Sequence, residues 1–299
     1  MNHARWLGTL AVCALALTGC GKTSSLQAPG NGGSTSADDA AIASALQQSP
    51  EFVNESLSQD ETPIEFEAQA GTFAAIEPLR FWRRVTTVES DIHIDYSNPD
   101  PSGRPLHAIA TIQRHLQGTF NILAGTPEDT SVVHKPLDDE WTRRIALVRR
   151  ARPDSPELGP WRLAGTSGVE IATIGGVTAL VSLRVQAGDQ DTTITDPLEL
   201  HRLRRVIRFA PGTEVTLTAT TQAASDVVLF HGHGGRRRFT NHGDGTHTFT
   251  FPVGDFPGLR HFGVDALSNG TLLDDEAPYD ANAWLLAYAV VAVRMPADN

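Results

Sequence analysis

Three groups of residues have types and spacing that could do chemistry. His231-Gly232-His233-Gly234-Gly235 is followed closely by Asn241-His242-Gly243-Asp244-Gly245-Thr246-His247. Imidazole is a common zinc ligand, and two strands joined by a turn could gather several rings, so His231, His233, His242 and His247 are candidate ligands. His231 and His233 share a face only if the strand stays regular through Gly232. The plain alternative is a hairpin with Gly, Asn and Asp at its turns and solvated histidines. A second group, Asp274, Asp275, Glu276 and Asp280, crowds one segment and could supply several of the roughly six to eight oxygens that calcium takes. Its order is not that of a regular calcium loop, and a solvated acidic loop has the same composition. Third, Asp91, His93 and Asp95 alternate along an extended stretch with Ile92 and Ile94 between them. An imidazole flanked by carboxylates is raw material for acid–base catalysis, and with His107 and Gln113 it would line a pocket; a solvated strand face reads identically.

None of these groups completes a catalytic signature. Gly165-Thr166-Ser167-Gly168 lacks the order of a nucleophile elbow, and no glycine-rich phosphate loop precedes a helical pattern. The chain therefore reads as a non-catalytic binding or scaffold protein. The alternative is a small-molecule-binding or enzymatic pocket in the first folded domain, lined by Asp91, His93, His107 and Gln113. A formal net charge of −11 argues against nucleic acid as a partner. The only lysines are Lys22 and Lys135. Among the arginines, Arg202, Arg204, Arg205 and Arg208, with Arg236 to Arg238, could form a basic face for an anionic polymer.

At the N-terminus a basic residue, Arg5, precedes an apolar run from Leu7 to Leu17, too short for a permanent membrane span of about 20 residues. The run closes on Leu17-Thr18-Gly19-Cys20. These four residues resemble the lipobox of bacterial lipoproteins. The resemblance implies that residues 1–19 are a signal peptide and that Cys20 becomes a lipidated N-terminus carrying acyl chains of the palmitate kind. It also implies a cell-envelope location. Because Gly21 and not Asp follows, the site would be the outer membrane of a double-membraned bacterium, facing the periplasm or the surface. The expected partners are the membrane, through the anchor, and an envelope protein or polymer. The only other cysteine, Cys13, falls in the removed segment. The fold is thus expected to stand on packing without disulfides.

The elements that must position these residues are mainly β with some α. Residues 20–63 are polar and read as a disordered tether, with a short helix conceivable within Asp38 to Gln48. From Ile64 a period-two pattern predicts strands. Val85 to Tyr96 should pair with Leu106 to Ile122 through Ser97 to Gly103, with a bulge or kink at Gly118. Trp141 to Arg150 should pair with Trp161 to Thr173. Helical periodicity is confined to fragments such as Ala74 to Arg84. Residues 64–174 are read as a curved antiparallel β-rich domain. Phe81-Trp82-Arg83-Arg84 and the hairpin bearing Trp161-Arg162-Leu163 resemble the cone-shaped fold named after nuclear transport factor 2, an alternative to a plain curved sheet. Residues 175–299 carry short strands at sandwich spacing, Val206 to Phe209, Glu214 to Thr221, Asp226 to Phe230, Thr246 to Phe251, Leu259 to Leu267 and Ala283 to Val293. Gly258 to Ala266 resembles the penultimate strand of bacterial immunoglobulin-like domains. The junction between Thr173 and Ala179 is short, which predicts a close, semi-rigid connection. Leu198, Leu200, Leu203, Val206 and Ile207 should pack onto a sheet edge or the first domain.

Overall fold

The computed structural model describes residues 36–49, 64–65, 75–126, 129–150, 158–232 and 235–291. A helix, α1 (Ser36–Gln47), and a two-residue strand, β1 (Ile64–Glu65), precede three long strands, β2 (Pro78–Pro99), β3 (Pro105–Thr126) and β4 (Asp129–Val148). Alternation makes them strands. On β3, Ala108, Ala110, Ile112, Leu116, Phe120 and Ile122 are all buried, while Gln113 and Gln117 between them are exposed. The β2–β3 turn is held by Asp100, whose carboxylate accepts the backbone N–H groups of Ser102 and Arg104, both at 2.9 Å. These bonds to Arg104 and Ser102 hold the Asp100 carboxyl below its ordinary range. At Gly118 the register of β2 slips between Val85 and Thr87. A Cβ at Gly118 would stand 2.0 Å from the Arg84 carbonyl oxygen, so only glycine lets the bulged strand come this close.

β5 (Arg162–Thr173) pairs with β4, and the chain then leaves the sheet. Strands β6 (Leu180–Ala187), β7 (Gln190–Ile194), β8 (His201–Arg202), β9 (Ile207–Phe209), β10 (Glu214–Thr221) and β11 (Val227–Gly232) follow. After them come β12 (Gly235–Arg238), β13 (Thr240–Asn241), β14 (Thr246–Pro252), β15 (Gly258–Leu267), a one-turn helix α2 (Asn269–Leu273) and β16 (Ala281–Val290). Two sheets result. The larger runs β1-β2-β3-β4-β5-β16-β15-β11-β12, with β8 on β5 and β9 on β16; the smaller runs β13-β14-β10-β6-β7. All pairings are antiparallel except β9 with β16. The expected domain boundary at residues 174 and 175 falls at the end of β5, and the larger sheet continues across it through β5–β16 pairing, Val169 opposite Leu285 and Ala172 opposite Asn282.

β11, β15 and β16 are buried on both faces. One face meets a first core: Val227 and Leu229, Leu267, and Ala281, Ala283 and Leu285 pack with the inner face of β2 to β5. The other meets a second core: Val228 and Phe230, Phe262 and Val264, Trp284 and Leu286 pack against Leu183, Leu217 and Phe251 of the smaller sheet. This explains the nearly unbroken apolar run of β16, because a strand with no solvated face has no reason to alternate.

The larger sheet curls without closing. In a flat sheet β2 and β15 would lie roughly 24 Å apart, five strand spacings. Instead the N–H of Ala75, just ahead of β2, donates to the Leu273 carbonyl after β15 at 2.9 Å, and Phe120 of β3 lies 5.0 Å from the ring of Tyr279. Helix α1 packs into this curl. Its Ile42 and Leu46 belong to the first core, Tyr96 donates its hydroxyl to Asp39 at 2.5 Å, and Arg149 forks onto Asp38 at 2.5 and 3.2 Å. Burial, then the Asp39 carboxylate, pushes the Tyr96 phenol up.

Two expectations are corrected. Residues 36–47 are not free tether but a helix seated in the core, because Ile42 and Leu46, one turn apart, present one apolar face. Of the expected helical fragment Ala74 to Arg84, Ala74 lies outside the described residues and the stretch from Pro78 is not helix but β2, with Phe81 and Arg83 turned inward at period two. The rest of the expected tether, apart from residues 48–49 that follow the helix, lies outside the described residues, and Ile64–Glu65, at the expected start of the β-rich domain, form β1. Among the described residues no helix is long and apolar enough to cross a membrane.

The docking of α1 makes a prediction. Leu46→Ala should lower the free energy of urea unfolding by about 2–5 kcal/mol, the usual cost of emptying a buried leucine site. An unchanged unfolding midpoint would show that α1 is not part of the core.

Candidate functional site

β5 and β16 run side by side over a few residues and then part. Into the fork goes the crossover that connects the two sheets. Its β8 pairs with β5, Arg202 opposite Gly165 and His201 opposite Thr166, and its β9 pairs with β16, Ile207 opposite Tyr288. Between them Leu203–Arg205 makes a 3₁₀ turn. The strap starts at an Asp196 turn, where the carboxylate accepts the Leu198 N–H at 2.8 Å. Two glycines allow it to lie so near. A Cβ at Gly165 would stand 2.7 Å from the His201 carbonyl oxygen, and one at Gly168 would stand 2.7 Å from Leu286 Cδ2 and 3.0 Å from the Pro197 carbonyl oxygen. The sequence showed Gly165 to Gly168 only as a failed nucleophile elbow. Its glycines in fact provide close backbone approach, and the one sequence signal was two glycines inside a strand pattern.

The strap divides two clefts. The first, about 740 Å³, carries mixed charge, with Asp189, Asp196 and Glu199 against Arg204, Arg205 and Arg208. Its hydroxyls are engaged by the backbone: Thr166 donates to the Ser167 carbonyl at 3.0 Å, and Ser167 donates to the Gly168 carbonyl while accepting the Arg144 N–H at 2.9 Å. The second cleft, about 850 Å³, is lined by Arg149, Arg150, Arg162, Arg202 and Arg204, with no acidic residue among its described lining. Arg149 is occupied: it binds Asp38, donates to the Pro105 carbonyl at 2.7 Å and lies 4.6 Å over the ring of Trp161. The guanidinium groups of the other four belong to exposed residues.

The expected pocket residues do not meet. Asp91 and Gln113 are cross-strand partners on the outer face of the curl, and His93 sits beside them but turns to Asp95 at 3.1 Å. His107 stands six residues from Gln113, roughly 20 Å along the strand, and contacts Asn98 at 3.3 Å. Behind them the inner face is filled by Ile92, Ile94, Ala110 and Ile112, packed in one core with Ile42 and Leu46 of α1.

The histidine group is also dispersed. His231 is buried on the β11 face shared with Val227 and Leu229, toward the first core, whereas His247 lies buried in the smaller sheet beyond the opposite face. His242 is exposed and bonded to Thr248 at 2.9 Å; His233 lies outside the described residues. The acidic loop divides too. Asp274 caps its own turn by accepting the N–H groups of Glu276 and Ala277, at 2.9 and 3.3 Å, while Asp280 accepts those of Val177 and Thr178 across the sheet junction. Among the described residues no three His, Cys, Asp or Glu side chains converge as a metal site. Nor do the arginines form one face with Arg236, whose side chain turns inward, 3.7 Å from Asp265.

A buried ionic network lines the seam where the curl meets the wall. Asp139 accepts the hydroxyls of Thr173 at 2.9 Å and Tyr279 at 3.1 Å, and Arg83 lies 5.8 Å over the Tyr279 ring. Burial pushes the Asp139 carboxyl up, against the opposing pull of Arg83 and the two hydroxyls. Burial alone would lower Arg83, but Tyr279, Asp265 and Asp139 hold it above its ordinary value. Lys135 is likewise buried, donating to the carbonyls of Gly270 at 3.0 Å and Asp274 at 2.5 Å, the open end of α2. All these groups bridge elements. None sits in either cleft. No known protein family, characterised protein or solved structure matches this chain.

His247 gives a pH test. Thr221 donates its hydroxyl to the Ala223 carbonyl and meets His247 Nε2 at 3.0 Å, which fits a neutral ring protonated at Nε2. Burial, then the charges of His242 and Arg238, holds its pKa below the ordinary value. A depressed histidine contributes stability that is present above the unfolded-state pKa of about 6.5 and lost as pH falls through the folded-state value. The melting temperature should therefore drop below about pH 6.5 in the wild type and drop less in His247→Gln. Superimposable pH profiles would show that this ring does not titrate on unfolding.

Proposed function

We propose that the chain is a lipid-anchored protein of the cell envelope with a non-catalytic binding role, its recognition surface being the pair of clefts beside the strap. The observation that carries the binding reading is the second cleft, of ligand size and lined by five arginines in a chain of formal net charge −11. In the first cleft the Thr166 and Ser167 hydroxyls are already bonded to backbone, an arrangement suited to holding a shape and not to attacking a substrate. The filled core behind Asp91, His93, His107 and Gln113 supports the same choice over an enzymatic pocket there. The anchor and the envelope location rest on the lipobox at Leu17 to Cys20.

For the finer fold, we read the region expected at residues 175–299, whose described strands run from β6 to β16, as an immunoglobulin-like sandwich, a reading supported by two sheets facing across one core with β15 beside β16. The first half is read as a plain curved sheet in preference to the nuclear transport factor 2 cone, since one helix of 12 residues occupies its concave side.

Fractionation tests the anchor. Cys20→Ser should become extractable from membranes by a high-salt wash, or accumulate as a soluble precursor, while the wild type resists salt and yields only to detergent. Equal resistance of the two would remove the anchor reading.

A further inference from the structure

We infer that the arginine cleft binds the phosphate groups of anionic phospholipids in the membrane that carries the anchor. The inference rests on the anchored binding reading above and gives its cleft a ligand class. Arg150, Arg162, Arg202 and Arg204 come from four points of the chain, the end of β4, the start of β5, β8 and the 3₁₀ turn, and line one concavity with Leu163, Leu203 and Pro160. Arginine forks suit phosphate oxygens, donating two parallel hydrogen bonds per group, and the apolar residues between them suit the glycerol and first methylenes of a lipid. Among the described residues no salt bridge engages these four arginines, whereas Arg104, Arg149 and Arg184 each hold an aspartate.

The position of the cleft favours a membrane over a distant polymer. Its fifth arginine, Arg149, is the one that grips Asp38 in the first turn of α1, so the cleft opens where the chain enters the fold. From Cys20 to Ser36 the backbone can span no more than about 55 Å even when fully extended, which limits how far this end can stand from an anchoring bilayer. Acidic side chains such as Glu89, Asp91, Asp95 and Glu140 stand instead on the outer face of β2 to β4. An anionic surface therefore attracts the cleft and repels that face.

The test uses the whole chain from residue 20 carrying Cys20→Ser, which cannot be lipidated, and sedimentation with vesicles. It should co-sediment with vesicles of phosphatidylglycerol and phosphatidylethanolamine but not with phosphatidylcholine, and the binding should fall with salt. Replacing Arg150, Arg162 and Arg202 by Gln should weaken partitioning on the order of 100-fold, at roughly a fivefold step per arginine. Arg237→Gln, an exposed arginine away from the cleft, should bind as before, and circular dichroism checks that every variant is folded. Single Arg→Gln variants serve if the triple is not. Absence of binding to anionic vesicles, or equal binding by the triple variant, overturns the inference. So does calorimetric binding of inorganic phosphate without vesicle binding, which would assign the cleft to a soluble phosphate ligand. Failure here with a detergent-only wild-type membrane fraction leaves the anchor standing. Vesicle binding with no effect of Cys20→Ser on that fraction removes the anchor instead.

Discussion

The structure depends on a wall of three strands, β11, β15 and β16, with a hydrophobic core on each side. Each strand must present apolar residues at both parities, and each does: Leu285 faces the curl while Trp284 and Leu286 face the sandwich. Large side chains buried in this way contribute about 1.5–3 kcal/mol each, so neither side can be removed without exposing the other's partner surface to water. Even the glycine in the wall follows from this crowding. A Cβ at Gly263 would stand 2.7 Å from Leu285 Cδ2 and 3.3 Å from the Cβ of His231. With the only cysteines at Cys13 and Cys20, outside the strands of both sheets, this shared burial joins the sheets without a disulfide.

Much of this was legible locally. The β2–β3 and β4–β5 hairpins follow from period-two alternation and their turn residues, and the bulge opposite Gly118 from a glycine in a long strand. Strand order was not legible. β16 pairs with β5 across more than a hundred residues, and a non-local pairing leaves no mark on neighbouring positions. A short helix at α1 was legible within Asp38 to Gln48, but its docking was not, because its apolar face is only Ile42 and Leu46 among alanines and what fixes it, Tyr96 and Arg149, is remote in sequence. The buried charges were disguised differently. On β4 the inward positions read Lys135, Leu137, Asp139, Trp141, Arg143, Ile145, so the period was present but three of its members looked like surface residues.

The candidate site was legible in part. Arg202 and Arg204 stood out as members of a basic cluster, but Arg150 and Arg162 flank a turn where charge is expected, and only the fork between β5 and β16 brings the four to one cleft. The histidine and acidic groups show the reverse. Sequence proximity suggested convergence, whereas the wall places His231 and His247 beyond opposite faces and the junction draws Asp280 away from Asp274. The strap is the common cause of the clefts. It exists because the chain must cross from the smaller sheet back to the larger one, and Gly165 and Gly168 leave room for it to cross in contact.

The wall makes the two cores one cooperative unit, and amide hydrogen exchange after a change in one core tests this most directly. Leu217→Ala empties a site in the smaller sheet that touches only the second core. The account predicts that the slowest amides of β3 and β4, in the first core, lose protection by the same free energy as those of β6 and β10, on the order of 2–5 kcal/mol. Loss of protection confined to β6, β10 and β14, with β3 and β4 unchanged, would contradict it.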